Sequence, residues 1–313
     1  MLGKVVHDIK TLRIQGASRI ALLSLATLEE EARRINAKRC EEFYRKFFAA
    51  GKKLATARPT EPATRNAIAS VLTALKRERC ASVSAMRARA IELCRTMRDF
   101  LKRMQKDLII SAAKKLPRKA TILTHCHSNT VVGALLKAKK MGKEYSVICT
   151  ETRPLYQGVK TARELSRGGI KTTLIVDSAA GYFMKHVDLV VVGADAICAN
   201  GDVVNKIGTR MIAAVAKEMN VNFFVISACY KYDPLTELGY AEPIEERPKS
   251  EVAARALRRV EIRNPAFDVT PATHITAVLT EEGEAKPKEV KRIFRRKFDI
   301  EKKILQKLTE KQN

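Results

Sequence analysis

The chain has 313 residues, 46% of them apolar, which is enough to bury a core and to build two domains. Its most apolar stretch, Val187 to Val192, is too short to span a bilayer, and no apolar leader opens the sequence. Seven cysteines without paired spacing exclude a disulfide framework and fit free thiols in a reducing, cytoplasmic setting, while a net charge of +25 calls for an explanation of its own.

The first 115 residues read as helical. Apolar residues recur at helical spacing through Ile20, Leu23 and Leu28, and again through Phe43, Phe47 and Leu54. Arg58-Pro59-Thr60-Glu61-Pro62 interrupts that pattern and predicts a loop. Helix resumes from about Ala63 to Ala113, and Leu116-Pro117-Arg118 reads as a linker. From Thr121 the character changes to short β-branched runs alternating with helical stretches. Strands are expected at 121–125, 145–149, 172–176, 187–192, 223–227 and 275–279. Helices are expected between them, for example at 131–140 and 207–219, and a basic helix is expected over about 288–307. That alternation implies an α/β fold: a helical N-terminal domain (1–118), then a Rossmann-like, doubly wound parallel sheet (119–313) carrying the basic C-terminal helix.

Polar residues follow nearly every expected strand. His125-Cys126-His127-Ser128 comes after the first, Glu151-Thr152-Arg153-Pro154 after the second, Asp177-Ser178 after the third, Asp195 after the fourth, and Cys229-Tyr230-Lys231 after the fifth. Ligands of open parallel sheets bind at these carboxyl ends, and Arg153 and Lys231 suit an anion. Asn205-Lys206-Ile207-Gly208-Thr209 is expected to open a helix whose free N–H groups would take a phosphate. No Walker loop and no Gly-x-Gly-x-x-Gly is present, so a dinucleotide is not indicated. A thiol and a carboxyl at two strand ends form a base and acid pair for moving a proton on carbon. Other readings of these residues remain open. Cys126 is equally a small buried hydrophobe, Asp195 a turn residue, and Asp177 a helix cap, the reading preferred for it. Convergence of Cys149, Cys198 and Cys229 on a zinc ion is a third possibility for the thiols, though no Cys-x-x-Cys or His-x-x-x-His spacing supports it.

These segments, together with Gln157-Gly158, Val176-Asp177-Ser178-Ala179, Gly193-Ala194-Asp195, Tyr230-Lys231-Tyr232 and Asn264-Pro265-Ala266-Phe267-Asp268-Val269-Thr270-Pro271, resemble one superfamily over nearly the whole chain. It holds the regulatory subunits of eukaryotic initiation factor 2B, methylthioribose-1-phosphate isomerase and archaeal ribose-1,5-bisphosphate isomerase. The His-Cys-His-Ser form is most similar to the last. The resemblance implies an aldose–ketose isomerase of a phosphorylated pentose, converting ribose 1,5-bisphosphate to ribulose 1,5-bisphosphate in nucleotide salvage, with Cys126 as base and Asp195, held neutral by burial, as proton donor. It further implies that Ser128, Asn129, Thr130, Asn205, Lys206 and Lys231 hold the sugar phosphate, with Arg58 and the Gly16-Ala17-Ser18 loop on phosphate. It implies no cofactor or metal, and a homodimer or homohexamer. One departure stands out: the isomerase loop carries Arg-Gly-Ala, where this chain has Gln15-Gly16-Ala17. Gln lacks the charged fork that suits phosphate, leaving Arg13 or Arg19 to substitute. The alternative implied is a non-catalytic initiation factor 2B-like binding protein with a vestigial sugar-phosphate or nucleotide pocket.

The charge is distributed unevenly. Residues 1–119 carry 28 Lys and Arg against 11 Asp and Glu, residues 286–313 carry 11 against 4, and the middle is nearly neutral at 20 against 19. The basic excess therefore avoids the stretch with the candidate chemistry. It reads either as a face for RNA or an acidic protein, or as a solvated helical surface.

Overall fold

The computed structural model describes residues 1–255 and 258–310. They form two compact units. The first comprises Met1–Met104, Tyr230–Ala241 and the chain from Arg292; the second comprises Gln105–Cys229 and Glu242–Lys291.

In the first unit the apolar spacing produces α1 (Leu2–Lys10), α2 (Ala17–Arg34), α3 (Cys40–Ala55), α4 (Pro62–Arg77) and the first part of α5 (Val83–Lys115). The break expected at 58–62 is there. Pro62 opens α4 at the first helical position, where its missing N–H costs nothing. Ile20, Leu25 and Leu28 of α2, Phe43 and Phe47 of α3, and Ile68 and Leu72 of α4 make the core. Glu29 of α2 is buried there and neutralised by Arg33, Arg95 and Arg98.

The second unit holds the expected alternation: β1 (Lys119–Thr124), α6 (Asn129–Lys140), β2 (Glu144–Thr150), α7 (Gln157–Arg167), β3 (Lys171–Ile175), the one-turn α8 (Ala180–Phe183) and β4 (Leu189–Val192). After them come β5 (Ala196–Ile197), β6 (Val203–Lys206), α9 (Thr209–Glu218), β7 (Asn222–Ile226), β8 (Phe267–Thr270), β9 (Ala277–Thr280) and β10 (Gly283–Ala285). Seven strands form one sheet in the order β10-β9-β7-β4-β1-β2-β3, parallel except for β10. All four residues of β4 are buried, as expected of a strand covered on both faces. The order runs outward from β1 in both directions, β2 then β3 on one side and β4, β7, β9 on the other. The β1–β4 junction, where Ile122 pairs with Leu189, is therefore the topological switch point. A separate antiparallel sheet, β5-β6-β8, was not foreseen from the sequence. It packs Ala196, Val204, Ala266 and Phe267 together.

Three expectations change. The basic helix expected over 288–307 is two helices, α10 (Val290–Lys297) and α11 (Lys302–Thr309). Phe298 turns inward to stack on Phe294 and meet Phe100 edge-on, and the Glu301 N–H is taken by Thr73 Oγ1, so the helix cannot run through. From Arg292 onward these helices belong to the first unit, so the packing divides the chain differently from a boundary at 118. Finally, Asn205 and Lys206 do not open a helix. They end β6, and α9 starts three residues beyond Lys206, after Gly208 in the left-handed conformation. Among the described residues no helix is long and apolar enough to cross a membrane.

Candidate active site

Parallel pairing of β1 with β4 puts the loops after both strands side by side. Cys126 lies two residues beyond β1 and Asp195 three beyond β4, so the two residues singled out from sequence flank the switch point. The Asp195 charge acts on the Cys126 thiol, adding to its rise. Asp195 is half-buried rather than enclosed as expected, and its N–H is held by the Val204 carbonyl at 2.8 Å.

Cys126 adopts φ of 68°, a left-handed conformation unusual for a residue with a Cβ. Its surroundings hold it there. Its N–H donates to Thr152 Oγ1 at 2.9 Å, and its carbonyl accepts from Thr161 Oγ1 at 2.8 Å. Strain of this kind persists only where neighbours over-determine the backbone, and it concentrates at functional sites. Desolvation of the sulfur pushes the thiol up to about 11. Lys206 opposes that first, then the His127 N–H bonded to the sulfur, while Asp195 and Asp177 add to the rise. The resting group is therefore a thiol poised beside one cation.

The helix-cap reading of Asp177 does not hold. Its carboxylate crosses to the loop after β2 and accepts the N–H groups of Thr152 and Arg153, each at 2.7 Å. Arg153 itself is exposed. Its guanidinium lies over the Tyr156 ring, bonds that hydroxyl at 2.9 Å, and reaches the carbonyls of Glu251 and Val252. The fork proposed for an anion is thus engaged within this loop region.

Ser128 caps α6, accepting the Val131 N–H, and Asn129 and Thr130 form the first turn. Asn129 is exposed and its Oδ1 lies 2.9 Å from His127 Nε2, while Thr130 is buried. Gly193 approaches so closely that a Cβ there would fall 2.9 Å from Ser128 Oγ, which ties the β4 loop to the α6 terminus. Asn205 is buried and bonds Thr209 Oγ1 at 3.0 Å. Lys206 lies over the Phe267 ring at 5.1 Å. A phosphate on the α9 terminus meets an occupied site: Asp268 of β8 already accepts from the Gly208 N–H at 2.7 Å and the Arg210 N–H at 3.1 Å. Burial raises Asp268 to about 6. Asp268 stands in the Asn264–Pro271 segment that carries the resemblance, but its role was not legible there, because it reaches the α9 terminus from a strand some sixty residues away.

Gly16, Ala17, Ser18, Arg19, Arg58 and Lys231 belong to the first unit. Gly16 has φ of 93° at the start of α2, Ala17 is buried, and Arg19 is exposed. Ser18 Oγ meets the Tyr230 hydroxyl at 2.7 Å, so this loop adjoins the segment carrying Lys231. Asn66, unremarked in the sequence, donates to the carbonyls on both sides of Lys231, Tyr230 at 3.0 Å and Tyr232 at 2.7 Å. Arg58 is buried and lies 3.4 Å from Glu61. Gln15 turns its amide back onto the Leu12 carbonyl, and Arg13 pairs with Asp8 at 3.6 Å. Among the described residues no group of three or more His, Cys, Asp or Glu gathers at metal-binding range.

Known proteins resemble this chain in sequence and in fold. The model of the Initiation factor 2 subunit family matches residues 13–287. A ribose 1,5-bisphosphate isomerase of Methanocaldococcus jannaschii is 41% identical over 285 residues, covering 90% of this chain and 91% of the relative. That of Archaeoglobus fulgidus is 40% identical over 286 residues, covering 91% and 89%. Among solved structures, a Pyrococcus horikoshii translation initiation factor eIF-2B superposes with a TM-score of 0.76 at 28% identity, covering 91% of this chain and 97% of that one. The 5-methylthioribose 1-phosphate isomerase of the same organism gives 0.76 at 30%, covering 94% and 87%.

Proposed function

The chain belongs to the Initiation factor 2 subunit family, and from that premise we propose that it is an aldose–ketose isomerase converting ribose 1,5-bisphosphate to ribulose 1,5-bisphosphate. The observation that supports this is that Cys126 and Asp195 follow β1 and β4, the two strands that pair at the switch point, with Lys206 favouring the thiolate.

The chemistry balances with these groups alone. Cys126, as thiolate, takes the proton from C2. The C1–C2 double bond forms as the bond from C1 to the ring oxygen breaks, and Asp195 gives that oxygen its proton. The enol then passes its C2 hydroxyl proton to Asp195 while C1 takes one from the Cys126 thiol, which restores both groups and leaves the ketone at C2 and the phosphate on C1. Ser128, Asn129, Thr130, Asn205 and Lys206 hold the sugar phosphate. Asp268 narrows the anion role of the α9 terminus to Lys206 and the N–H groups it leaves open. Assay of the purified protein against ribose 1,5-bisphosphate, ribose 5-phosphate and methylthioribose 1-phosphate tests the proposal; conversion of none of them would reject it.

One observation favours a second reading, a non-catalytic initiation factor 2B-like protein. Gln15 and Arg13 both spend their polar groups locally, so neither presents charge from the loop where the isomerases carry Arg. This reading keeps sugar-phosphate or nucleotide binding without turnover. Under either reading the protein works as a cytoplasmic homo-oligomer, and its basic helices offer a face to RNA or to an acidic protein partner.

A further inference from the structure

His125 is nearly inaccessible, 4% exposed, and it satisfies both ring nitrogens with different loops. Nε2 lies 2.8 Å from the Ile207 carbonyl, and Nδ1 lies 2.6 Å from Thr150 Oγ1. A carbonyl only accepts, so Nε2 carries the hydrogen. Thr150 then donates to Nδ1. Its oxygen is 3.3 Å from Thr152 Oγ1, which in turn accepts the Cys126 N–H. The hydrogen bonds run in one direction, from Cys126 to Thr152, whose hydroxyl is shared between Thr150 Oγ1 and the Thr150 carbonyl at 3.4 Å, then from Thr150 to His125 and on to Ile207. Ile207 immediately follows Lys206. On the far side, Gly208 has φ of +101°, and a Cβ there would stand 3.3 Å from the imidazole, so the loop is shaped to close over this ring.

We propose that His125 is a positioning residue that, by clamping the Ile207 carbonyl and closing the threonine chain onto the Cys126 N–H, holds Lys206 at a fixed distance from the Cys126 sulfur. The proposal rests on the isomerase reading for its consequence in turnover, but not for its geometry. Burial keeps the imidazole from charging, although Asp177 stands 3.9 Å away. A charged ring would repel Lys206 and leave Thr150 without an acceptor. The groups acting on the sulfur are Lys206, the His127 N–H, Asp195 and Asp177; of these, the clamp fixes Lys206 directly.

The test compares the wild type with His125→Leu, which removes both hydrogen bonds, and His125→Gln, whose amide reaches the Ile207 carbonyl. Iodoacetamide labelling of the Cys126 peptide is followed by mass spectrometry across pH 7–10, beside kcat and KM. In His125→Leu the labelling profile moves to higher pH, with a threefold to tenfold lower rate at pH 8, and kcat/KM falls about 100-fold, the cost of misplacing a reacting group by about an ångström. His125→Gln recovers most of both. An unchanged labelling profile in folded His125→Leu would overturn the proposal. Should the Leu variant not fold, the Gln variant and the wild type decide by nitrogen NMR of 15N-histidine protein. Hydrogen on Nε2 and a bare Nδ1 throughout pH 5–8 is the expected result; the opposite tautomer, or protonation within that range, refutes the clamp. Labelling and NMR need no turnover, so a failed isomerase assay leaves this test intact.

Discussion

The state of the Cys126 thiol controls everything proposed for this site, and replacing Lys206 by Met probes it most directly. Burial holds the thiol at about 11, against about 8.5 for an unperturbed cysteine. At pH 8 the reactive thiolate is then about 1 part in 1,000, where an ordinary thiol is about one quarter ionised, a deficit of roughly 200-fold. Lys206 is the first group opposing burial. A cation acting on a partly desolvated thiol is worth about 1.4 kcal/mol, roughly tenfold in the ionised fraction. Lys206→Met should therefore slow Cys126 alkylation at pH 8 by about tenfold and lower kcat/KM by at least as much. In the wild type, log kcat/KM should climb with unit slope from neutral pH upward. The assay is labelling with iodoacetamide, resolved to the Cys126 peptide, beside initial rates. Labelling of Cys126 at the rate of a free thiol at pH 8, or a Lys206→Met variant labelled as fast as the wild type, would refute the electrostatics argued here.

Asp195→Asn keeps shape and hydrogen bonding, so isothermal calorimetry should show sugar-phosphate binding within a fewfold of wild type while turnover is lost; retained turnover would mean another donor. Asp268 is raised from its ordinary 3.8 to about 6, so the folded state holds its proton more tightly. Its contribution is full below pH 4 and is lost as pH rises through 6, by roughly 1–2 kcal/mol after allowing for partial exposure, and Asp268→Asn should remove that slope from urea titrations at pH 4–7. Phe298 is buried against Phe294 and Phe100, so Phe298→Ala should cost about 3 kcal/mol in chemical denaturation, with α10 and α11 loosened. Arg295 is already paired with Glu237, so the basic tail is better tested by reversing the exposed Arg292, Lys302 and Lys307 to Glu. RNA affinity in filter binding should fall and its salt dependence flatten, with isomerisation unchanged.

How far the sequence reaches is plainest at Cys126 and Asp195. Strand periodicity placed each at the end of a buried run, because apolar β-branched stretches and the polar residues that end them are local signals. The α/β alternation and the helical break before Pro62 were legible for the same reason. Nothing local says that β4 pairs with β1 while β2 and β3 lie on the other side. That order is a long-range choice, set by which covered faces pack best, and it alone sets the loops that carry these two distant residues side by side. The same holds for Asp268 on the α9 terminus, for Asp177 on the β2 loop, and for the split of α10 from α11 by Phe298. Each is a contact between segments far apart in sequence. There, a side chain satisfies a backbone group or a core position that its own neighbourhood never reveals.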